Sequence, residues 1–205
     1  VGTDVPFPLL EGVAELSPDD LQRALGRLRA AELLYEARLF PDAEYTFRHA
    51  LVHDVTYRSL LLERRRMLHR RVGELMETRY SGRMAELAEA VGTHLERGEA
   101  WAAAVPHLLV AAEKSKERLA YDAALELCQR ALACAAHVPL DPERIRALVL
   151  RGDLASLLGD LAEANRSYDE AVTAGEGPQR RRAHSPQRPR APGGPPGRGA
   201  GALPR

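Results

Sequence analysis

The chain has 205 residues, enough for one large or two small domains. Its 29 basic residues balance 29 acidic ones, but residues 178–205 hold seven arginines and no Asp or Glu; taking those away leaves 22 against 29, a net near −7 over the body. That acidic body argues against a nucleic-acid-binding surface. No apolar run approaches the ~18–20 residues that span a bilayer and no signal peptide is visible, so the chain reads as cytoplasmic.

Ser17-Pro18-Asp19-Asp20 predicts a helix start: Ser17 can cap, Pro18 suits the first helical position and the aspartates favour the positive helix end. Leu21, Leu25 and Leu28 then mark one face. Leu33 to Phe40 is a β-prone run, Phe40-Pro41-Asp42-Ala43 a turn and Tyr45-Thr46-Phe47 a second short run, which together predict a hairpin. A helix follows from near His49, with Leu51, Val52, Val55 and Leu60 directed at a core. Helix, hairpin, helix is the outline of a winged-helix module over residues 1–62.

From Leu61 to about Arg79 the pattern is again helical, with Leu61, Leu68, Val72, Leu75 and Met76 in one stripe. Arg64, Arg65, Arg66, Arg70 and Arg71 spread around the axis, and the aromatics of single-strand nucleic-acid binders are missing. They read as a solvated face, with Arg65 paired to a carboxylate. Met84, Leu87, Ala88, Val91 and Leu95 mark the next helix, stopped by Gly98. Trp101, Ala104, Val105, Leu108, Ala112 and Leu119 mark another, which Pro106 should delay or kink. Ala124, Cys128, Ala131, Leu132 and Ala135 mark a third, Asp141-Pro142 opens a fourth and Asp160 a fifth. Cys128 and Cys134 are too far apart on one helix to bridge, and read as small core or surface residues of a reducing compartment.

Laid on the 34-residue tetratricopeptide pattern, Ile145 to Glu176 fits. Gly152 takes the small position where the paired helices cross and Gly159 the turn between them. Ala164, Tyr168 and Ala171 take the small, aromatic and small positions of the second helix. Arg151 is the misfit, where a large apolar residue is usual. Ala104, Leu108 and Ala111, and Ala124, Cys128 and Ala131, echo the second-helix pattern. The expected fold is therefore mainly α: a winged-helix-like module with a short hairpin (1–62), a tetratricopeptide-like helical array (63–177), and a disordered tail (178–205). In that tail 23 of 28 residues are Arg, Pro, Gly or Ala. Arg outnumbers Lys by 27 to 2 across the chain, the mark of a GC-rich source, so an out-of-frame read or truncation explains the tail better than a functional basic arm.

Several stretches carry a resemblance. They are Ala31-Glu32-Leu33-Leu34-Tyr35-Glu36, Leu39-Phe40-Pro41-Asp42, Tyr45-Thr46-Phe47-Arg48-His49-Ala50-Leu51 and His53-Asp54-Val55-Thr56-Tyr57, with Ser59-Leu60-Leu61, Arg64-Arg65-Arg66 and Leu68-His69 further on. The wording of residues 1–139 resembles the C-terminal part of bacterial signal-transducing, AAA-like ATPases of the type fused to class III adenylate or guanylate cyclases. The resemblance implies a fragment that docks on an ATPase core, with ATP or ADP bound by the parent, and repeats that bind a peptide or protein ligand. It also implies a role for His49: a histidine at this strand-to-helix junction reaches the ADP phosphates and holds the resting state. Arg48 departs from the apolar residue usual there.

The residues themselves offer little catalytic chemistry. The only lysines, Lys114 and Lys116, do not follow a glycine, so no G-x-x-x-x-G-K-[ST] phosphate loop exists; no G-x-G-x-x-G or H-E-x-x-H occurs either. His49 and His53 share the four-residue spacing of zinc ligands, but Ala50 follows His49 where a catalytic Glu would stand, and no third ligand is suitably spaced. His49 can equally be a partly buried histidine bonded to a backbone carbonyl. Asp54, Glu63 and Glu36 pair with nothing at recognisable spacing, and Trp101 and Tyr168 read as packing residues. The expectation is a non-enzymatic, regulatory and protein-interaction segment. The alternatives are the same segment of an ATPase-type transcriptional activator, a free-standing repeat scaffold, or a DNA-binding winged helix.

Overall fold

The computed structural model describes residues 4–38, 43–139 and 141–183, with side chains through residue 176. The described chain is mainly helical, with one small antiparallel sheet near its start. The order is β1 (Val5–Pro6), α1 (Phe7–Val13), α2 (Pro18–Ala30), β2 (Leu34–Arg38), β3 (Glu44–Phe47) and α3 (Ala50–Ser59). There follow α4 (Leu62–Arg79), a 3-10 turn (Ser81–Arg83), α5 (Met84–Arg97), α6 (Trp101–Glu117), α7 (Tyr121–Ala135), α8 (Asp141–Leu157) and α9 (Leu161–Ala183). Among the described residues no helix is long and apolar enough to cross a membrane.

Helix α2 begins as its sequence requires. Ser17 Oγ accepts the Asp20 backbone N–H at 3.2 Å, and Pro18 occupies the first turn. Leu21 and Leu25 are buried, whereas Leu28 stays 38% exposed, so the expected stripe is narrower by one residue. The hairpin pairs Leu34 with Phe47 and Tyr35 with Thr46, with an irregularity between Glu36 and Arg38. Most of the predicted turn, residues 40–42, lies outside the described residues. The sheet also has a strand that the sequence did not announce. Val5–Pro6 pairs with β3, giving the order β1-β3-β2. Two residues show no alternation, and a proline is tolerated there because β1 is an edge strand. As the central strand, β3 buries Thr46.

Helix α3 forms where predicted but does not face a core. It has no buried residue, and Leu51 and Val55 are 74% and 61% exposed. The reason is rotational. Its inner edge is set by His53, which meets Phe47, and by Tyr57, which meets His53 and His69, and residues two positions earlier lie about 200° away on the opposite face. Val52 and Leu60 are half-buried.

From α4 onward consecutive helices pack antiparallel. Gly73 lies against Leu95 while Gly98 lies against Arg70; likewise Gly152 meets the Tyr168 ring and Gly175 meets Ile145. Side chains then tie α4 to α6, α5 to α7 and α6 to α8. His107 meets Glu77 at 2.6 Å, Arg130 donates to Glu96 at 3.0 Å, Arg146 to Glu113 at 2.7 Å and Lys116 to Asp153 at 2.8 Å. These pairs are 30, 34, 33 and 37 residues apart, which is the spacing of a stacked two-helix unit. The turns repeat as well. Glu99, Leu119 and Gly159 all have positive φ, and each following residue donates to a carbonyl five back (Ala100 to Leu95, Ala120 to Ser115, Asp160 to Ala155, all 2.9 Å).

Helix α5 stops at Gly98 as expected, with Gly98 as its cap at an ordinary negative φ, and the left-handed residue of the turn is Glu99. Gly98 also allows close approach, because a Cβ there would lie 2.5 Å from the Arg70 backbone nitrogen. Leu119 belongs to a turn rather than to the α6 stripe and is 72% exposed; Leu61, just ahead of α4, is 79% exposed. Helix α6 does not start late: it begins five residues before Pro106, at Trp101, and continues through it to Glu117. Arg151 takes its unexpected place by ionic means, donating to Ser167 Oγ at 2.8 Å and to Glu170 at 2.7 Å. Helix α9 runs to Ala183, six residues past the expected boundary and through Pro178, beyond which Gln179, three arginines and Ala183 are good helix formers. The tail from 184 lies outside the described residues.

One apolar core runs from Leu9 of α1 to Leu154 of α8, and α1 packs on α4 with Gly12 against Leu75. Outside it, the arginines of α4 are largely engaged. Arg71 and Arg64 reach Glu15 at 2.7 and 3.7 Å, Arg66 reaches Glu63 and Glu99 at 2.8 Å, and Arg70 donates to the Glu99 carbonyl at 3.3 Å. Arg65 differs from expectation. Its guanidinium lies 5.3 Å from the Tyr57 ring centroid, and its buried Nε has no hydrogen-bond partner among the described residues.

Candidate functional site

His49 stands at the junction of β3 and α3, as the N-cap of the helix, with extended backbone (φ −130°, ψ 128°). Its carbonyl accepts from Val52 and His53 N–H groups at 3.0 and 3.3 Å, and its side chain makes no capping bond. The residue is exposed rather than tucked against a carbonyl. No acidic residue occupies the first turn of α3, so the positive helix end and the imidazole are both open to an anion. The adjacent Arg48 is held by its backbone, donating to Leu33 at 3.0 Å, and its side chain reaches Glu32 at 3.8 Å.

His53 does not join His49 in a ligand pair. Its Nδ1 meets Asp54 at 3.0 Å and its ring sits between Phe47, edge-on at 5.4 Å, and Tyr57, stacked at 6.1 Å. Among the described residues no three His, Cys, Asp or Glu side chains cluster to hold a metal. The carboxylates considered for acid–base work are dispersed. Asp54 is with His53, Glu63 with Arg66, and Glu36 with Tyr45 and Arg29.

The rings continue beyond α3. Tyr57 Oη lies 2.9 Å from His69 Nε2, and His69 Nδ1 lies 3.0 Å from His94 Nδ1. A line of side chains, Phe47–His53–Tyr57–His69–His94, thus connects the sheet to α4 and α5. Burial lowers the His69 pKa, helped by Arg97 and Arg65; burial, then His69, pushes His94 down to about 4. Reading the sequence missed the pair. The available signal was spacing: His69 falls in register with Val72 and Met76, and His94 with Ala90 and Leu87.

A second feature lies on the repeats. A groove of about 650 Å³ runs between α6 and α8, where Leu119, Val149 and Leu157 are exposed at 72%, 41% and 51%. Two ion pairs cross it: Lys116 with Asp153 at 2.8 Å, and Arg146 with Glu113 at 2.7 Å. The groove thus presents apolar surface flanked by charges of both signs. The cysteines contribute no chemistry, being buried and free, with thiol pKa values pushed by burial to about 12 for Cys128 and about 11 for Cys134.

The chain is 28% identical over 178 residues to an uncharacterized protein, R02095, of Rhizobium meliloti (strain 1021), covering 83% of this chain and 17% of that protein. The chain therefore spans about a sixth of the relative's length. No protein-family profile matches the chain, and no solved structure matches it.

Proposed function

We propose that this chain is a non-catalytic regulatory and protein-interaction segment of a larger signal-transducing ATPase linked to an adenylate or guanylate cyclase. Residues 1–62 act as a winged-helix module that docks on the ATPase core, and the helices of residues 63–177 act as a tetratricopeptide-like array that binds a peptide or protein signal. The observation that carries this reading is α3. A helix that turns Leu51 and Val55 away from its own module, with an exposed His49 at its positive end, is built to meet something else. On the intact protein that partner is the nucleotide-bound ATPase core, with His49 donating to an ADP phosphate. The strand order β1-β3-β2 around α1 and α2 supports the winged-helix assignment, the 30- to 37-residue ties between alternate helices support the repeat assignment, and the relative's length supports a larger parent.

The coding sequence upstream should contain a G-x-x-x-x-G-K-[ST] loop and, ahead of it, a cyclase domain. A helix-turn-helix domain downstream in place of the cyclase would move the assignment to a transcriptional activator. In the intact protein, Leu51→Asp with Val55→Asp should release the module from the core and raise basal output. Unchanged output with the helices intact by circular dichroism would refute the docking face.

A further inference from the structure

A second cavity lies where the N-terminal elements meet the helical array. It measures about 510 Å³, within the size range of small-molecule sites. Its walls are apolar: Val5 and Leu9 on one side, Val72 and Met76 of α4 and Leu87 and Ala90 of α5 on the other. From Arg83, just ahead of α5, the lining runs along that helix to His94, eleven residues on or about 16 Å, so the space is elongated.

Two polar features define what fits. The first is His94, 9% exposed, whose Nε2 is buried and has no hydrogen-bond partner among the described residues. Relative acidity assigns what that nitrogen offers. A phenol is the stronger acid and an imidazole nitrogen the stronger base, so we assign Tyr57 Oη–H as the donor to His69 Nε2. His69 Nδ1–H then donates to His94 Nδ1, which leaves His94 with an Nε2–H and no acceptor for it. An orphaned buried N–H is costly, and a ligand oxygen would satisfy it. With its pKa pushed down to about 4, His94 is neutral at ordinary pH and carries no charge to attract an anion. The second feature is the rim, where Arg38 pairs with Glu44 at 3.6 Å, Arg83 pairs with Glu86 at 2.9 Å and Asp4 adds a further carboxylate, so that among its described residues no cation stands ready for an anionic ligand.

We infer that this groove binds an elongated, uncharged, apolar molecule carrying a carbonyl oxygen, such as an ester or ketone, which accepts from His94 Nε2–H. Because β1 and α1 form one wall and α4 and α5 the other, an occupant would touch both parts of the chain. The inference rests on the groove alone and is independent of the ATPase reading above.

The test uses the 205-residue chain and prodan, a neutral naphthyl ketone whose emission shifts to the blue on leaving water. Saturable binding of one probe per chain is expected, with displacement by methyl decanoate at least tenfold better than by decanoate. Ala90→Trp, which fills the groove, should abolish the saturable signal. His94→Leu should weaken it about tenfold, the effect of one buried hydrogen bond, while His94→Gln, which keeps an N–H, should stay within about threefold. Equal binding to the Ala90→Trp or His94→Leu chain, or decanoate matching the ester, overturns the proposal. The ester-against-acid comparison uses the unaltered chain and decides the matter where a variant does not fold.

Discussion

Replacing His94 by Leu should remove a defined part of the acid sensitivity of folding. In the native chain the His94 pKa lies near 4, held down first by burial and next by His69; unfolded, it returns to about 6.5. Between those values the unfolded chain binds a proton that the folded chain does not. Stability is therefore fully present above pH 6.5 and declines as pH falls towards 4. The difference at pH 5 relative to pH 7 is about 2 kcal/mol, and the limit below pH 4 is about 3 kcal/mol. The window from pH 7 to pH 5 lies above the range in which ordinary carboxylates titrate, so the ion pairs of the array contribute little to the change. Urea unfolding followed by circular dichroism at 222 nm, at pH 7 and pH 5, measures it directly. The wild-type chain should lose about 2 kcal/mol more over this interval than His94→Leu, and a smaller shared loss from His69 should remain in both. Equal losses in the two chains would refute the buried, neutral His94.

Two further outcomes follow from the packing. Gly98→Ala places a methyl against the α4 backbone at Arg70, which cannot swing aside as a side chain can, and should destabilise the array by about 1–3 kcal/mol in urea unfolding. Gly26→Ala, with open space around its Cβ position, should be neutral or slightly stabilising and serves as the control. Cys128 and Cys134, buried with pKa values near 12 and 11, should resist a disulfide-exchange reagent at pH 8 in the native chain, and both should react in denaturant.

The parts legible in the sequence are those governed by local rules. Ser17-Pro18 states its helix start through capping chemistry, and the stripe Ala88, Val91, Leu95 states the buried face of α5 through its spacing. Gly152 against Tyr168 and the turn at Gly159 were readable because small residues at fixed offsets have one packing reason to be there. What stayed hidden depends on how elements meet. Leu51 and Val55 look like core residues on a helical wheel, and only the contacts of His53 with Phe47 of β3 and of Tyr57 with His69 of α4 show that they face outward. Glu99 and Leu119 carry the left-handed turns that glycine would have signalled, because the backbone pattern outweighs the modest strain of a side chain there. The His69–His94 contact joins residues 25 apart on two helices, a distance that no short motif spans.

In the proposed function α3 is a switch element whose exposed histidine meets a nucleotide bound elsewhere in a larger parent protein. The dissociation rate of ADP from the intact parent carrying His49→Ala, measured with a fluorescent ADP analogue, tests this most directly. The account predicts faster release than from wild type, with helical content unchanged. ADP retention equal to wild type in a folded His49→Ala protein would contradict it.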